Sequence, residues 1–386
     1  MRKIRIIVLK RTKPLKYPQA VTIVSSLVTG VLLYTSILAF IGVSPLKTLG
    51  IIAGSFTDPS LIKDFILLTL LGYALLVAFK GALWNIGAEG QFYIAALPVI
   101  YFTTVLFYTH GAVNLAQAIL VILLSIILAV LFGAAWGALA GVIKAYAGVD
   151  EVPVTLVMNY IAYFLGNILI LGPLMGKYVY GYKRTDMVPD AYRLSITFPL
   201  SATNPVARLV GELVTRAWWI LALILVLYLV RWLFNKTTLG LQIKVLGSNP
   251  DYLTTIGSDV KKVTVITFAI SGGLVGLTAS LYILGYLYRL EYPLEGQTSG
   301  YGYIAILVTW LSLLRVELVP VSAYIVSSLF NAGLLQGSDL DVKEALRRSG
   351  WAGAELSFRW IMVGSILLTY SVLRFLSEYE VKVVWK

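Results

Sequence analysis

The sequence GALWNIGAEGQ, residues 81–91, interrupts a long apolar part of the chain with polar residues and glycines. Uncharged segments lie on both sides of it, at residues 65–79 and 90–143. Irregular backbone and an ionisable group are tolerated inside a bilayer only where protein or a water-filled cavity surrounds them. The stretch is therefore predicted to line a path for a solute; an ordinary cytoplasmic turn is the alternative. The candidate pathway side chains in it are Asn85, Glu89 and Gln91.

The amino-acid composition identifies the class of protein. Hydrophobic residues make up 59% of the chain and charged residues only 13%, whereas a soluble globular domain has roughly 25% charged residues. The chain is therefore an integral membrane protein. The sequence contains no cysteine, which excludes disulfides and thiolate metal sites. With a single histidine and scattered carboxylates, we expect neither a metal ion nor a cofactor on this chain.

The pattern of apolar and basic segments predicts an all-α, polytopic membrane protein. Segments of about 20 mostly apolar residues can cross a bilayer. Ten such spans are predicted, at residues 20–43, 62–79, 91–108, 114–143, 152–173, 217–234, 263–286, 300–314, 318–336 and 358–376. The net charge of +12 arises mainly from basic residues where spans end, which is typical of a cytoplasmic membrane face and not of nucleic-acid binding.

This topology divides the chain into three parts. Residues 1–19 form a basic cytoplasmic N-terminus, residues 20–376 form the transmembrane domain, and residues 377–386 form a cytoplasmic tail. Because the number of spans is even, both termini are predicted to lie inside the cell. The transmembrane domain includes long outer loops at 174–216 and 337–357 and a charged inner loop at 240–262.

The inner loop, GLQIKVLGSNPDYLTTIGSDVKK, contains the start and stop signals of a short helix. Four signals favour a helix over 250–256: an Asn N-cap, a proline in the first helical position, an acid in the first turn and a glycine after the last turn. These four residues are Asn249, Pro250, Asp251 and Gly257. So short a helix is not stable alone. Leu253 and Ile256 share a face, which predicts a groove on a partner; a capped surface turn is the alternative.

A third motif, DEVPVTLVMNYIA at residues 150–162, carries a polar stripe on an apolar helix. Glu151, Thr155 and Asn159 recur every four residues and therefore lie on one face. In lipid such a stripe must face protein or water. We predict that it lines the solute path and bonds the hydroxyls of a solute; contacts between helices are the alternative.

Together these motifs resemble the permease subunits of ATP-binding-cassette importers, most of all those for nucleosides and simple sugars, within the branched-chain amino acid and ribose permease superfamily. The segments that carry the resemblance are NIGAEGQ at 85–91, residues 150–162, the inner loop and AISGGLVGLTAS at 269–280. The resemblance implies that five residues form a coupling helix seated in a groove of the ATPase: Asn249, Pro250, Asp251, Thr254 and Gly257. Tyr252 and Leu253 stand where that family usually has small alanines.

The resemblance also implies partners and a mechanism. The chain lacks the phosphate-binding motif GxxxxGK[ST], so ATP and magnesium are expected on a separate ATPase subunit. A second homologous permease and an extracellular substrate-binding lipoprotein complete the expected assembly in the cell membrane. We expect a nucleoside or simple sugar to cross by alternating access, and we expect this subunit itself not to be an enzyme.

One other interpretation of the sequence remains open. An ion-coupled secondary carrier for a small polar solute would use Glu89 as its ion-binding carboxylate and would need no ATPase. A weak internal echo, Glu89-Gly90-Gln91 and Glu295-Gly296-Gln297, is compatible with an inverted repeat of the kind such carriers contain.

Overall fold

The computed structural model describes residues 4–11, 19–111, 113–178, 181–196, 205–351 and 353–385. Parts of the predicted N-terminus and of the predicted outer loop at 174–216 therefore lie outside the described residues. The first eight helices are α1 (Gln19–Phe40), α2 (Pro45–Ser55), α3 (Leu61–Lys80), α4 (Ala88–Ile100), α5 (Leu115–Val142), α6 (Glu151–Leu171), α7 (Pro205–Thr215) and α8 (Ala217–Lys236). The next seven are α9 (Thr238–Ser248), α10 (Pro250–Thr255), α11 (Val260–Tyr282), α12 (Tyr301–Leu311), α13 (Val319–Ser338), α14 (Leu340–Arg348) and α15 (Phe358–Glu378).

Eight of the described helices are long and apolar enough to cross a membrane. They are α1, α3, α5, α6, α8, α11, α13 and α15. Five π-helical residues extend each of α5 and α11 at its C-terminal end. Each coincides with a predicted span, so the prediction of an all-α polytopic membrane protein is confirmed. The other two predicted spans coincide with shorter helices, α4 and α12.

These two shorter helices differ from ordinary spans. All of α4 is buried; Pro98 lies inside it, and a π-helical turn, Tyr101–Leu106, follows it. Proline cannot donate the backbone hydrogen bond of a regular helix, which is consistent with the irregular end. Helix α12 has 11 residues, or about 16 Å at 1.5 Å per residue, roughly half of a 30 Å hydrocarbon core.

The chain separates into two compact units, of which the first comprises residues 1–61 and 325–386. Here α1 packs along α15, and a Cβ at Gly30 would lie only 2.9 Å from the Cα of Ile366. Strand β1 (Ile4–Lys10) pairs antiparallel with strand β2 (Tyr379–Trp385). The sequence analysis did not predict this small sheet. The pairing joins the segment before α1 to the segment after α15.

The second unit, residues 62–324, contains the predicted pathway and the inner loop. Its tightest packing is between α5 and α11, where the backbones touch. A Cβ on Gly133 would lie 2.3 Å from the carbonyl oxygen of Gly272, and a Cβ on Gly276 would lie 2.1 Å from that of Ala129. Small residues let membrane helices approach this closely. Helices α3 and α4 of this unit are almost entirely buried, whereas less than a third of the residues of α5 and α8 are buried.

Candidate solute pathway and coupling helix

The polar break begins with a tight turn at the end of α3. The amide of Leu83 donates to the carbonyl of Ala78 at 3.1 Å, and the amide of Ala82 donates to that of Phe79 at 3.0 Å. Ala82 has φ +52°, the left-handed conformation that closes such helix ends. The chain then runs without regular structure to Gly87, where α4 starts.

Asn85 and Gln91 bond each other across this irregular segment. The Nδ2 of Asn85 donates to the Oε1 of Gln91 at 3.1 Å, and the Nε2 of Gln91 donates to the Oδ1 of Asn85 at 3.1 Å. Asn85 also donates to the hydroxyl of Ser271 on α11 at 3.0 Å and accepts from the amide of Gly87 at 3.0 Å. Both side chains are buried. The structure thus brings these two predicted pathway residues together and ties them to α11.

The polar stripe on α6 holds the same segment from the other side. Glu151 accepts from the amide of Trp84 at 3.1 Å and forms a 2.6 Å ion pair with Lys144. The hydroxyl of Thr155 donates to the carbonyl of Glu151, and the side chain packs beside Gly87. All three stripe residues are buried.

Asn159 is the most connected residue of this stripe. Its Oδ1 accepts from the amide of Gly90 at 2.8 Å, at the start of α4. Its Nδ2 donates to the carbonyl of Ile86 at 3.0 Å and to the hydroxyl of Tyr303 at 3.1 Å. In this conformation the stripe makes contacts between helices and satisfies the backbone of the break.

Glu89 lies where two helices begin. It is in the first turn of α4, and its carboxyl group accepts from the hydroxyl of Thr298 and, at 2.8 Å, from the amide of Gly302 in the first turn of α12. A Cβ on Gly302 would lie 2.5 Å from the amide nitrogen of Glu89, so only glycine permits this approach. An acidic group at the N-termini of two helices is favourably placed with respect to both helix dipoles.

Further residues of this site were missed by the sequence analysis. The hydroxyl of Tyr93 donates to the carbonyl of Leu294 at 2.7 Å and accepts from the amide of Thr298 at 3.1 Å. Asn167 accepts from the amide of Leu294 at 2.9 Å and donates to Glu295. Asn167 lies eight residues after Asn159, so extending the polar stripe by two more turns would have found it.

The two Glu-Gly-Gln copies have different local structures. Glu89, Gly90 and Gln91 lie in α4 and are buried. In the second copy Glu295 is exposed and Gly296 has φ +91° in the turns before α12.

A cavity of about 800 Å³ lies between α4, α5 and α6. Apolar side chains such as Leu97, Leu128 and Phe132 line it, and none of the six predicted pathway residues does. The polar cluster is closed in this conformation, with its side chains bonded to one another and to backbone. Within the described ranges, no group of three or more His, Asp or Glu side chains is arranged to hold a metal ion.

The short helix of the inner loop forms as α10, ending at Thr255. The Oδ1 of Asn249 accepts from the amide of Tyr252 at 3.0 Å, which is the predicted N-cap. Gly257 follows with φ +78°. These start and stop signals therefore operate as the local sequence predicts.

The orientation of this helix differs from the prediction in one respect. Leu253 was expected on the partner's side with Ile256, but it is 0% exposed and packs inside its own chain. Tyr252 and Ile256 are 55% and 51% exposed. Residue spacing shows which side chains share a face but not what that face contacts, because this depends on α9 and α11, against which α10 packs.

A family model described as the permease component of the branched-chain amino acid transport system matches residues 60–347. The chain belongs to this family. The matched range contains the polar break, the α6 stripe and the inner loop. The protein is thus a transport subunit and a multi-pass protein of the cell membrane.

Three curated relatives give the comparison more detail. The chain is 28% identical over 222 residues to the nucleoside ABC transporter permease protein NupB of Lactococcus lactis subsp. cremoris, covering 58% of this chain and 57% of that protein. It is 27% identical over 243 residues to the guanosine ABC transporter permease protein NupP of Bacillus subtilis, covering 63% of each. It is also 27% identical over 276 residues to the glucose ABC transporter permease protein TsgB13 of Haloferax volcanii, covering 69% of this chain and 66% of that protein. The match thus spans about 57% to 66% of the relatives' lengths. No solved structure matches.

Proposed function

We propose that this chain is the membrane-spanning permease of an ATP-binding-cassette importer that carries a nucleoside or a simple sugar by alternating access. The observation that carries the proposal is the membership of an importer-permease family over a range that contains a capped, exposed helix in the inner loop. A separate ATPase would dock on this helix and drive transport.

The exposure of the inner helix supports this docking. From Ser248 to Gly257 every residue except Leu253 is exposed. Leu253 fixes the helix to its own chain and leaves the side chains of Asp251 and Thr254 available to another protein. The proposed coupling helix consists of Asn249, Pro250, Asp251, Thr254 and Gly257, flanked by the exposed rings and methyl groups of Tyr252 and Ile256.

The charge balance of the polar cluster supports a neutral solute. Glu151 is paired with Lys144. Glu89 lies at the N-termini of α4 and α12, each of which carries a partial charge of about +0.5, so these roughly compensate its negative charge. A nucleoside or sugar is neutral and presents hydroxyl groups, which Asn85, Gln91 and Asn159 can bind once they release one another.

We propose that these side chains, together with Glu89, Glu151 and Thr155, line the path when the cluster opens. The names of the relatives support the substrate class: one is a nucleoside permease, one a guanosine permease and one a glucose permease. The assembly would also contain a second homologous permease and an extracellular substrate-binding lipoprotein.

The test is to purify the tagged chain from native membranes in mild detergent, identify its partners by mass spectrometry and reconstitute the complex. Labelled guanosine, glucose and leucine are then offered to the proteoliposomes. ATP-dependent uptake of guanosine or glucose supports the proposal. Uptake of leucine alone would contradict the substrate class. Uptake driven by an ion gradient, by a chain recovered without an ATPase, would replace the importer with a secondary carrier.

A further inference from the structure

The turn that opens the polar break rests directly on α9, the helix before the proposed coupling helix. A Cβ on Gly247 would lie 2.2 Å from the carbonyl oxygen of Lys80 and 3.1 Å from the amide nitrogen of Ala82. The backbone of α9 therefore touches the backbone of the turn, with no side chain between them. Around this point Ile243 and Leu246 of α9 are buried against Gly81.

Helices α9 and α10 are joined through the single residue Asn249. Its amide donates to the carbonyl of Val245 at 2.7 Å at the end of α9, and its Oδ1 accepts from the amide of Tyr252 at 3.0 Å at the start of α10. The Nε2 of Gln242 donates to the hydroxyl of Ser258 at 3.1 Å and ties the end of the inner loop back to α9. With Leu253 buried beneath α10, a displacement of α10 must carry α9 with it.

On its other side the turn leads within a few residues into the polar cluster. The amide of Trp84 is bound to Glu151 and the side chain of Asn85 to Ser271 and Gln91. These bonds hold the segment at successive positions, so a movement of the turn cannot be absorbed by a flexible linker. It must change the bonds of the cluster.

We propose that Gly247 and the turn at 80–82 form the joint through which movement of the coupling helix reaches the solute path. The inference rests on the proposed function and names the contact by which it operates. Packed interfaces tend to switch between discrete arrangements and deform little in between. A backbone-to-backbone contact of this kind transmits displacement well, because it contains no rotatable side chain.

The test is Gly247→Ala in the reconstituted complex. Its added methyl group would overlap the carbonyl oxygen of Lys80 and separate α9 from the turn. We expect ATP-driven uptake to fall by about tenfold or more, within the usual range of coupling between sites, while assembly and ATP hydrolysis persist. The matched control is Gly364→Ala in α15, where a Cβ meets nothing within 4 Å, and which should leave uptake unchanged.

A second measurement, the rate of thiol labelling, reports on movement of the turn itself. Because the sequence has no cysteine, Trp84→Cys gives this chain a single thiol next to the turn, at a side chain that is 38% exposed, and labelling is followed on this chain after the subunits are separated. In complexes that transport, trapping the ATPase in its nucleotide-bound state should change the rate of maleimide labelling at this position. Adding Gly247→Ala should abolish that change, and adding Gly364→Ala should preserve it.

The possible results separate the two proposals. If the unmodified complex shows no ATP-driven uptake, the proposed function is wrong. If it transports normally and Gly247→Ala keeps both uptake and nucleotide-dependent labelling, the joint alone is wrong. Should Gly247→Ala fail to assemble, Ile243→Ala replaces it: this change removes packing against Gly81 without adding bulk. It must then reduce the uptake obtained per ATP hydrolysed, and an unchanged ratio contradicts the joint.

Discussion

Glu89→Gln tests the contact between the N-termini of α4 and α12 with the smallest change of shape. Glutamine keeps one acceptor oxygen for the amide of Gly302. Its NH₂ group can donate to the hydroxyl oxygen of Thr298, which then accepts a hydrogen bond where it donates one to Glu89. Both contacts can therefore survive as neutral hydrogen bonds. What disappears is the negative charge.

The free energy lost in Glu89→Gln follows from these contacts. A hydrogen bond to a charged group contributes about 1.5–3 kcal/mol and a neutral one about 0.5–1.5 kcal/mol, and a charge at a helix N-terminus adds about 0.3–1 kcal/mol. The two bonds together lose about 2 kcal/mol and the two helix ends about 1 kcal/mol more, so the total loss is about 3 kcal/mol, or roughly 100-fold in an equilibrium. Glu89→Ala leaves the amide of Gly302 without its acceptor, which costs about 1–3 kcal/mol more.

The assays are uptake into proteoliposomes and thermal unfolding in detergent. We expect Glu89→Gln to reach the membrane at normal levels, to melt at a lower temperature and to transport roughly tenfold less, as long as the two helix ends must re-form their contact in each cycle. Glu317→Gln is the matched control, because it makes the same change at an exposed side chain that pairs with exposed Arg231 at 3.7 Å, and it should alter stability by less than about 1 kcal/mol. Uptake and melting equal to those of the unmodified protein would refute the reasoning and leave the break as a passive turn.

Three further substitutions test other parts of the structure. Gly257→Trp adds bulk and strain at the proposed docking surface and should uncouple ATP hydrolysis from uptake. The control is Gly181→Trp, at φ +80° with open space around it, which should not uncouple them. Equal uptake by both variants would contradict the docking proposal. Gly272→Ala places a methyl group 2.2 Å from the carbonyl oxygen of Gly133 and should destabilise the protein by about 1–3 kcal/mol or more. Thermal unfolding measures this loss, and an unchanged melting temperature would contradict it. Asn159→Ala leaves buried backbone groups at the start of α4 unpaired and should cost about 2–5 kcal/mol, whereas normal melting would show that water replaces the side chain.

Much of the site could be predicted because its signals are local. The side chain of Asn249 and the ring of Pro250 start α10. Gly257, after the end of α10, adopts the left-handed conformation itself, at φ +78°. The stripe that begins at Glu151 was predicted to face protein or water, since hydropathy and a four-residue spacing suffice to indicate one polar face on an apolar helix.

The partners of these residues could not be predicted from local signals. Nothing near Asn159 in the sequence indicates that it binds the amide of Gly90, and nothing near Leu253 shows that it packs inward. Such contacts join residues far apart in the chain and depend on how whole helices pack.

By itself, the sequence determined the membrane class, the positions of the eight long apolar helices and the capping residues of the short inner helix. Apolar length and capping groups act over a few residues, where chain connectivity keeps the interacting groups close. Only the tertiary structure decided that Glu89 joins two helix ends and that Gly247 rests on the turn after α3. These contacts arise when distant helices approach within van der Waals distance, and a glycine in the sequence does not indicate which backbone it will meet.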